Sequence, residues 1–237
     1  MKNVLITGGS RGIGAECVRQ FAARGYRVYF FYNKSESEAQ KIMSETDAVG
    51  IKCDISDCNE IKRASDKIKS ECSIDILVNN AAIAQIKMFQ DITESDFDNM
   101  FDTNIKGPFM VTKEFIDGML HNKYGRIINI SSMWGETGGS CEVHYSASKA
   151  AVIGFTKALA KEVAPSGITV NCVSPGVIGT EMNSHLTEDE LSEIAEETPI
   201  SRIGSPAEVA AAVIYFAEDN SGFTTGTVLP VNGGIIM

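Results

Sequence analysis

The sequence predicts an α/β protein. The expected form is one domain on a doubly wound parallel sheet of about seven strands, with helices on both faces. Three observations carry this. Seven short runs rich in Val and Ile recur along the 237 residues, continuous in hydrophobicity as strands covered on both faces are. Helical patterns follow the runs, and that alternation implies βαβ units. A glycine-rich turn, Gly8 to Gly14, stands directly between the first run and the first helical stretch.

Taken in order, the first run is Val4 to Thr7, and a helix is expected over Ala15 to Arg24. Between them lies Gly8-Gly9-Ser10-Arg11-Gly12-Ile13-Gly14. This spacing is neither a P-loop nor a strict G-x-G-x-x-G, but the physics is shared. Glycines let the backbone turn tightly and approach a pyrophosphate seated on the free N–H groups of a helix N-terminus. The second run, Arg27 to Tyr32, ends in Asn33, Lys34 and Ser35 with no acid at its tip. An NAD site wants an acid there for the ribose hydroxyls. Arg11 and Lys34, with the neutral donors Asn33 and Ser35, suit a 2′-phosphate, hence NADP(H); Glu36 nearby works against such a site.

The third and fourth runs are Gly50 to Cys53 and Ile76 to Asn79. Thr93 and Asp96 mark a helix start before Phe97. The fifth run, Arg126 to Ser131, delivers the Ser132 hydroxyl at a carboxyl strand end, where open α/β sheets bind ligands. Tyr145 and Lys149 then fall at i and i+4 of a long helical pattern, on one face. A nearby ammonium favours phenolate, so this pair predicts a tyrosine tuned down toward neutral pH, able to pass a proton to or from a carbonyl oxygen. A Tyr/Lys pair alone is ordinary helix decoration; beside a dinucleotide loop it reads as chemistry. The sixth run is Ile168 to Ser174. Residues 177–200 form an expected substrate lid, with a Thr187-x-x-Glu190 capping box, a Leu186/Leu191 staple and an acidic helix face. Ser205 caps a helix with Pro206 at its first position, and Thr227 to Val231 is the last run.

Composition narrows the function. Twenty-one basic against 31 acidic residues give a net charge of −10, which disfavours nucleic acid and anionic membrane surfaces as partners. No apolar run reaches the ~18 residues that span a bilayer. The start of the chain turns to glycine too early for a signal-peptide apolar region. A cytoplasmic protein is expected, a single domain over residues 1–237. The six cysteines form no C-x-x-C pair, and no metal site is expected.

On these motifs the chain resembles the short-chain dehydrogenase/reductase family from about Val4 to Gly234, and the resemblance implies a Rossmann-type fold. Thr7-Gly8-x-x-x-Gly12-x-Gly14 looks like the family's cofactor loop, and Asp54-Ile55 like its adenine contact. Asn79-Asn80-Ala81-Ala82 resembles its N-N-A-G, with Ala82 in place of glycine. Pro175-Gly176-x-x-x-Thr180, which includes Ile178, looks like the segment that positions the nicotinamide. Asn104, Ser132, Tyr145 and Lys149 fall at the spacing of the family's catalytic tetrad. The resemblance implies that Tyr145 gives the proton and Ser132 orients the carbonyl. Lys149 lowers the tyrosine pKa and holds the nicotinamide ribose, and Asn104 anchors a water linking Lys149 to solvent.

Within the family, Pro199 to Ala210 and Gly226 to Gly234 look most like 3-oxoacyl-acyl carrier protein reductases, which act in fatty-acid elongation. Docking an acidic carrier needs a local basic patch. Those reductases place arginines just before the fifth and sixth strands, where this chain has Lys123 and Ser166, with Arg126 and Lys161 near in sequence. The loop Met133 to His144, with the only tryptophan, Trp134, also resembles an elongation factor P 5-aminopentanone reductase; a cationic amine would suit Glu136 or Glu142 at the rim. Trp134, Cys141 and Met182, with His185 and Leu186, are candidate substrate contacts. A non-catalytic dinucleotide sensor is the distant alternative, and the intact Ser132, Tyr145 and Lys149 set speaks against it. By resemblance, a homotetramer is expected, with contacts through residues 104–120 and 143–163 and the last strand.

Overall fold

A computed structural model describes residues 1–184 and 186–236. Seven strands form one sheet: β1 (Asn3–Thr7), β2 (Arg27–Tyr32), β3 (Val49–Lys52), β4 (Ile76–Asn79), β5 (Gly125–Ile130), β6 (Ile168–Pro175) and β7 (Val228–Val231). Their order is β3-β2-β1-β4-β5-β6-β7, and every pairing is parallel. The chain winds outward from β1 to β3, then crosses back to β4 and winds the other way. That reversal opens a crevice at the carboxyl ends of β1 and β4, where such sheets bind ligands.

The continuous apolar runs are explained by the two faces. Successive strand residues point to opposite sides. Val4 and Ile6 join Phe30, Val78 and Ile128 under α1 (Gly12–Ala23), α2 (Glu36–Thr46) and α9 (Pro206–Ala217). Leu5 joins Phe31, Leu77 and Val170 under α3 (Cys58–Lys69), α5 (Gly107–Asn122) and α7 (Val143–Val163). Neither face has room for a polar alternation, so periodicity alone gave strands without saying which way they faced.

Strand boundaries fall within a residue or so of those expected. Helix α1 starts at Gly12 rather than Ala15, because the last glycines of the loop already form its first turn. The caps hold as read. Thr93 with Asp96 opens α4 (Glu94–Phe101), and Thr187 with Glu190 opens α8 (Glu188–Glu197), each as a reciprocal capping box. Ser205 caps α9 with Glu208, whose two oxygens also take Arg202 at 2.9 and 2.6 Å. Between α4 and α5 the chain makes one π turn, Asp102–Lys106, and α6 is the short segment Met133–Thr137.

One expectation changes. Arg126 cannot serve as a docking cation, because it is 6% exposed at the amino end of β5. Its guanidinium lies 4.5 Å over the Tyr124 ring, donates to the Gly125 carbonyl at 2.9 Å, and faces Asp219 at 3.7 Å. Asp219 also takes Lys2 and the Tyr124 hydroxyl, so this cluster ties the start of the chain to the bottom of the sheet. His185, a candidate substrate contact, lies outside the described residues. Among the described residues, no helix is long and apolar enough to cross a membrane.

Candidate active site

The glycine loop is built for an anion. Gly8 and Gly12 have φ of +66° and +54°, a region that L side chains rarely adopt. A Cβ on Gly14 would lie 2.1 Å from the Gly8 carbonyl oxygen, so only glycine closes this turn. Arg11 is the N-cap of α1 and makes no side-chain cap bond. The N–H groups of the first turn are therefore left for a ligand, at the positive end of the helix dipole. The loop is held from β4. The Asn80 amide donates to the Thr7 and Gly8 carbonyls at 3.0 and 3.2 Å. In return the Thr7 hydroxyl accepts from the Asn80 and Ala81 N–H groups, both at 3.0 Å. Ser10 is buried, while Ile13 and Ala82 are half-buried beside this junction. Sequence reasoning passed over Gly9, where a Cβ would meet Phe30 at 2.5 Å; the Gly-Gly pair was its only signal.

Residues from the other strand ends converge on the same loop. The Gly176 N–H donates to Val231 at 3.0 Å, Ile178 is buried and bridges to Gly204, and Thr180 stands over Gly12. At the β2 tip, Asn33 and Lys34 are exposed and Ser35 is half-buried. Burial pushes the Asp54 carboxyl up, but hydrogen bonds from Ser56 and Asn33 and the charge of Lys34 outweigh it and hold the group below the usual carboxylate range. Arg11 is exposed, and its charge reaches Glu38 in α2, on the side where Asn33 and Lys34 lie. The Ile55 side chain is buried in the core beside Gly107.

Ser132 and Tyr145 meet at the carboxyl end of β5. Ser132 caps α6, accepting the Trp134 N–H at 3.2 Å, and its hydroxyl stands close enough to the Tyr145 phenol to favour the ionised form. Tyr145 is 7% exposed. Here the structure corrects the expected tuning. Burial pushes the Tyr145 phenol up to about 12, against the smaller opposing pull of Ser132. The Lys149 ammonium lies 5.8 Å from the tyrosine ring centroid and donates its hydrogen bond to the Ile130 carbonyl at 2.9 Å. Burial lowers Lys149 to about 8.

Asn104 sits in the π turn. Its amide oxygen accepts the Ile83 N–H at 2.9 Å, and its nitrogen donates to the Ile83 carbonyl at 2.9 Å and the Ser148 hydroxyl at 3.0 Å. These bonds brace the 83–104 junction against α7.

On the substrate side, Trp134 is half-buried and packs over Gly139. Cys141, at φ +60°, is half-buried with its sulfur 3.4 Å from that of Met88. Met182 is 46% exposed in the segment 177–200. The base of that segment is pinned where the Gly179 N–H donates to the Gly204 carbonyl at 2.9 Å and the Gly204 N–H donates to the Val177 carbonyl at 3.0 Å. Its helix α8 buries no residue. A cavity of about 510 Å³ lies between this segment and α1, lined by Gly12, Glu16, Thr180, Asn183, Leu186 and Leu191 among others. A contact that sequence reasoning missed is His144 on Gln85, 59 residues apart and without any local signal.

This fold and this crevice define a nucleotide-dependent oxidoreductase of the Rossmann class. A family model described as "Enoyl-(Acyl carrier protein) reductase" matches residues 8–236. The chain belongs to the short-chain dehydrogenase/reductase family, whose members use a nicotinamide dinucleotide. It is 39% identical to an acetoacetyl-CoA reductase of Cupriavidus necator, over 98% of this chain and 97% of that one. It is 36% identical to the 3-oxoacyl-[acyl-carrier-protein] reductase FabG of Staphylococcus aureus, over 100% and 98%. Among solved structures, a 3-oxoacyl-[acyl-carrier protein] reductase from Brucella melitensis superposes with a TM-score of 0.93 at 32% identity, covering 100% of this chain and 91% of that one.

Proposed function

We propose that the protein reduces the ketone of a 3-oxoacyl thioester to a secondary alcohol with NADPH, the acyl group being carried by acyl carrier protein. One observation carries the reading: a buried Tyr145 hydroxyl beside Ser132 at a carboxyl strand end, one helical turn from Lys149. The ketoacyl reductases among its relatives support the substrate class.

The bound dinucleotide supplies the hydride. The loop Gly8–Gly14 and the start of α1 hold its pyrophosphate, and Arg11, Asn33, Lys34 and Ser35 hold its 2′-phosphate. Ser132 orients the ketone oxygen. Tyr145, protonated throughout the neutral range with its phenol near 12, donates its proton to that oxygen as charge develops on it. Lys149 stays largely charged at pH 7 and acts on the ribose as a donor. Asn104 keeps the junction in place.

Of the carrier-docking cations, Lys123 is exposed at the amino end of β5, the end of the sheet away from Tyr145. A carrier held there serves the mouth of a neighbouring subunit, in line with a cytoplasmic homotetramer. Phe109, 51% exposed and packed on Phe155, marks the α5 and α7 face for self-association. A second reading, reduction of a 5-aminopentanone on a modified lysine of elongation factor P, is favoured by Glu136, exposed on α6 ahead of Tyr145.

The test is NADPH oxidation with a 3-oxoacyl group on acyl carrier protein and on coenzyme A, with Tyr145→Phe as control. Turnover that the mutation abolishes while NADPH still binds supports the reading. Tight NADPH binding without turnover of either thioester discards it in favour of the amine-bearing protein substrate.

A further inference from the structure

A chain of side chains outside the tetrad joins the segment 83–89 to the helix that carries Tyr145. Lys87 pairs with Asp96 at 2.6 Å. The Gln85 amide nitrogen donates to the other Asp96 oxygen at 2.9 Å. With its nitrogen so committed, Gln85 offers only its carbonyl oxygen, which lies 2.8 Å from His144 Nε2. Nε2 must therefore carry the proton. His144 is 3% exposed, and its Nδ1 has no partner, so this ring is held from one end only, by Gln85. Two further contacts zip the same segment to the loop before α7. The Lys87 N–H donates to the Cys141 carbonyl at 2.7 Å, and Met88 meets Cys141 sulfur to sulfur. Asp96 is fixed in turn by the capping box at Thr93.

We propose that His144 and Gln85 are positioning residues that lock the segment 83–89 onto the start of the Tyr145 helix, making it a fixed wall of the substrate mouth rather than a loose loop. This rests on the proposed ketone reduction at the same site. The segment between Ala82 and Phe89 has no regular structure of its own. Its place is set by these contacts and by Ile83 on Asn104. A wall that is in place only part of the time weakens substrate binding by that fraction and leaves the chemical step alone.

The experiment has two arms on the full-length protein. Hydrogen exchange at the Lys87 amide reads the lock, and steady-state kinetics with acetoacetyl-CoA and NADPH reads the wall. His144→Ala and Gln85→Ala each speed exchange and raise KM on the order of tenfold, the loss expected for one buried hydrogen bond. Both keep kcat and the NADPH affinity of the parent. His144→Gln places an amide nitrogen where Nε2 stands and restores both readouts, and the double alanine variant is no worse than either single one. Unchanged exchange overturns the lock. Faster exchange with unchanged KM overturns the wall. A fall in NADPH affinity marks general unfolding and overturns both. A parent protein that reduces no ketone refutes the proposed function instead, and the exchange arm still decides the lock.

Discussion

Gly14→Ala tests the cofactor cradle at its tightest point. The added Cβ would stand 2.1 Å from the Gly8 carbonyl oxygen and 2.5 Å from the Asn80 amide nitrogen. Carbon–oxygen contacts do not close below about 3.3 Å, so the Gly8 carbonyl must move by about 1 Å. That shift breaks the bonds by which Asn80 holds the Thr7 and Gly8 carbonyls. Two hydrogen bonds at about 1 kcal/mol each, with about 1–3 kcal/mol of overpacking, give a loss of about 3–5 kcal/mol. For a chain of this size the melting temperature should fall by about 6–20 °C. The first-turn N–H groups of α1 lose their common aim, and NADPH affinity should fall by about tenfold or more. Thermal unfolding by circular dichroism and NADPH titration by fluorescence measure the two effects. Gly118→Ala is the control, since its Cβ would meet nothing within 4 Å in a helix where alanine is preferred. An alanine at 14 that melts with the parent and binds NADPH as tightly would refute the argument from close approach.

Three further outcomes are expected. Burial lowers Lys149 from 10.5 to about 8, so its charged form costs stability below that pH, and the cost is relieved as pH rises from 8 toward 10.5. Lys149→Met should therefore gain about 2–3 kcal/mol at pH 7 in urea unfolding while losing activity, and the gain should vanish by about pH 10.5; a less stable variant at pH 7 contradicts this. Burial lowers the His144 pKa, with Asp96 opposing and Lys87 assisting, so the fold holds it neutral and stability falls as pH drops below 6.5. His144→Gln should flatten that acid limb, and an unchanged limb would place its cause elsewhere. Arg11→Ala and Lys34→Ala should each weaken NADPH binding by about five- to tenfold and leave NADH unchanged, the loss of one exposed phosphate contact; an unchanged preference would remove the 2′-phosphate from this site.

Much of the fold was legible because it is written in short-range terms. Continuous Val and Ile runs, capping boxes at Thr93, Thr187 and Ser205, and a glycine turn after β1 each report local backbone physics. The pairing of Tyr145 with Lys149 was equally local, since i and i+4 share a helix face. The errors came where a side chain's direction is set by distant partners. Arg126, which lies near the expected docking positions in sequence, is folded against Tyr124 and Asp219. Lys149 looked like the tyrosine's tuner and gives its hydrogen bond to Ile130 instead.

The sequence by itself determined the sheet-and-helix alternation, the glycine turn after β1 and the shared helix face of Tyr145 and Lys149, because spacing along one strand, turn or helix decides those. Tertiary structure alone decided the order of the strands, the burial of Tyr145 and the bracing contacts of Asn104. It alone also joined Gln85 to His144. Burial and hydrogen bonding depend on what the fold brings alongside, and residues 59 apart become neighbours only once the sheet has closed around them.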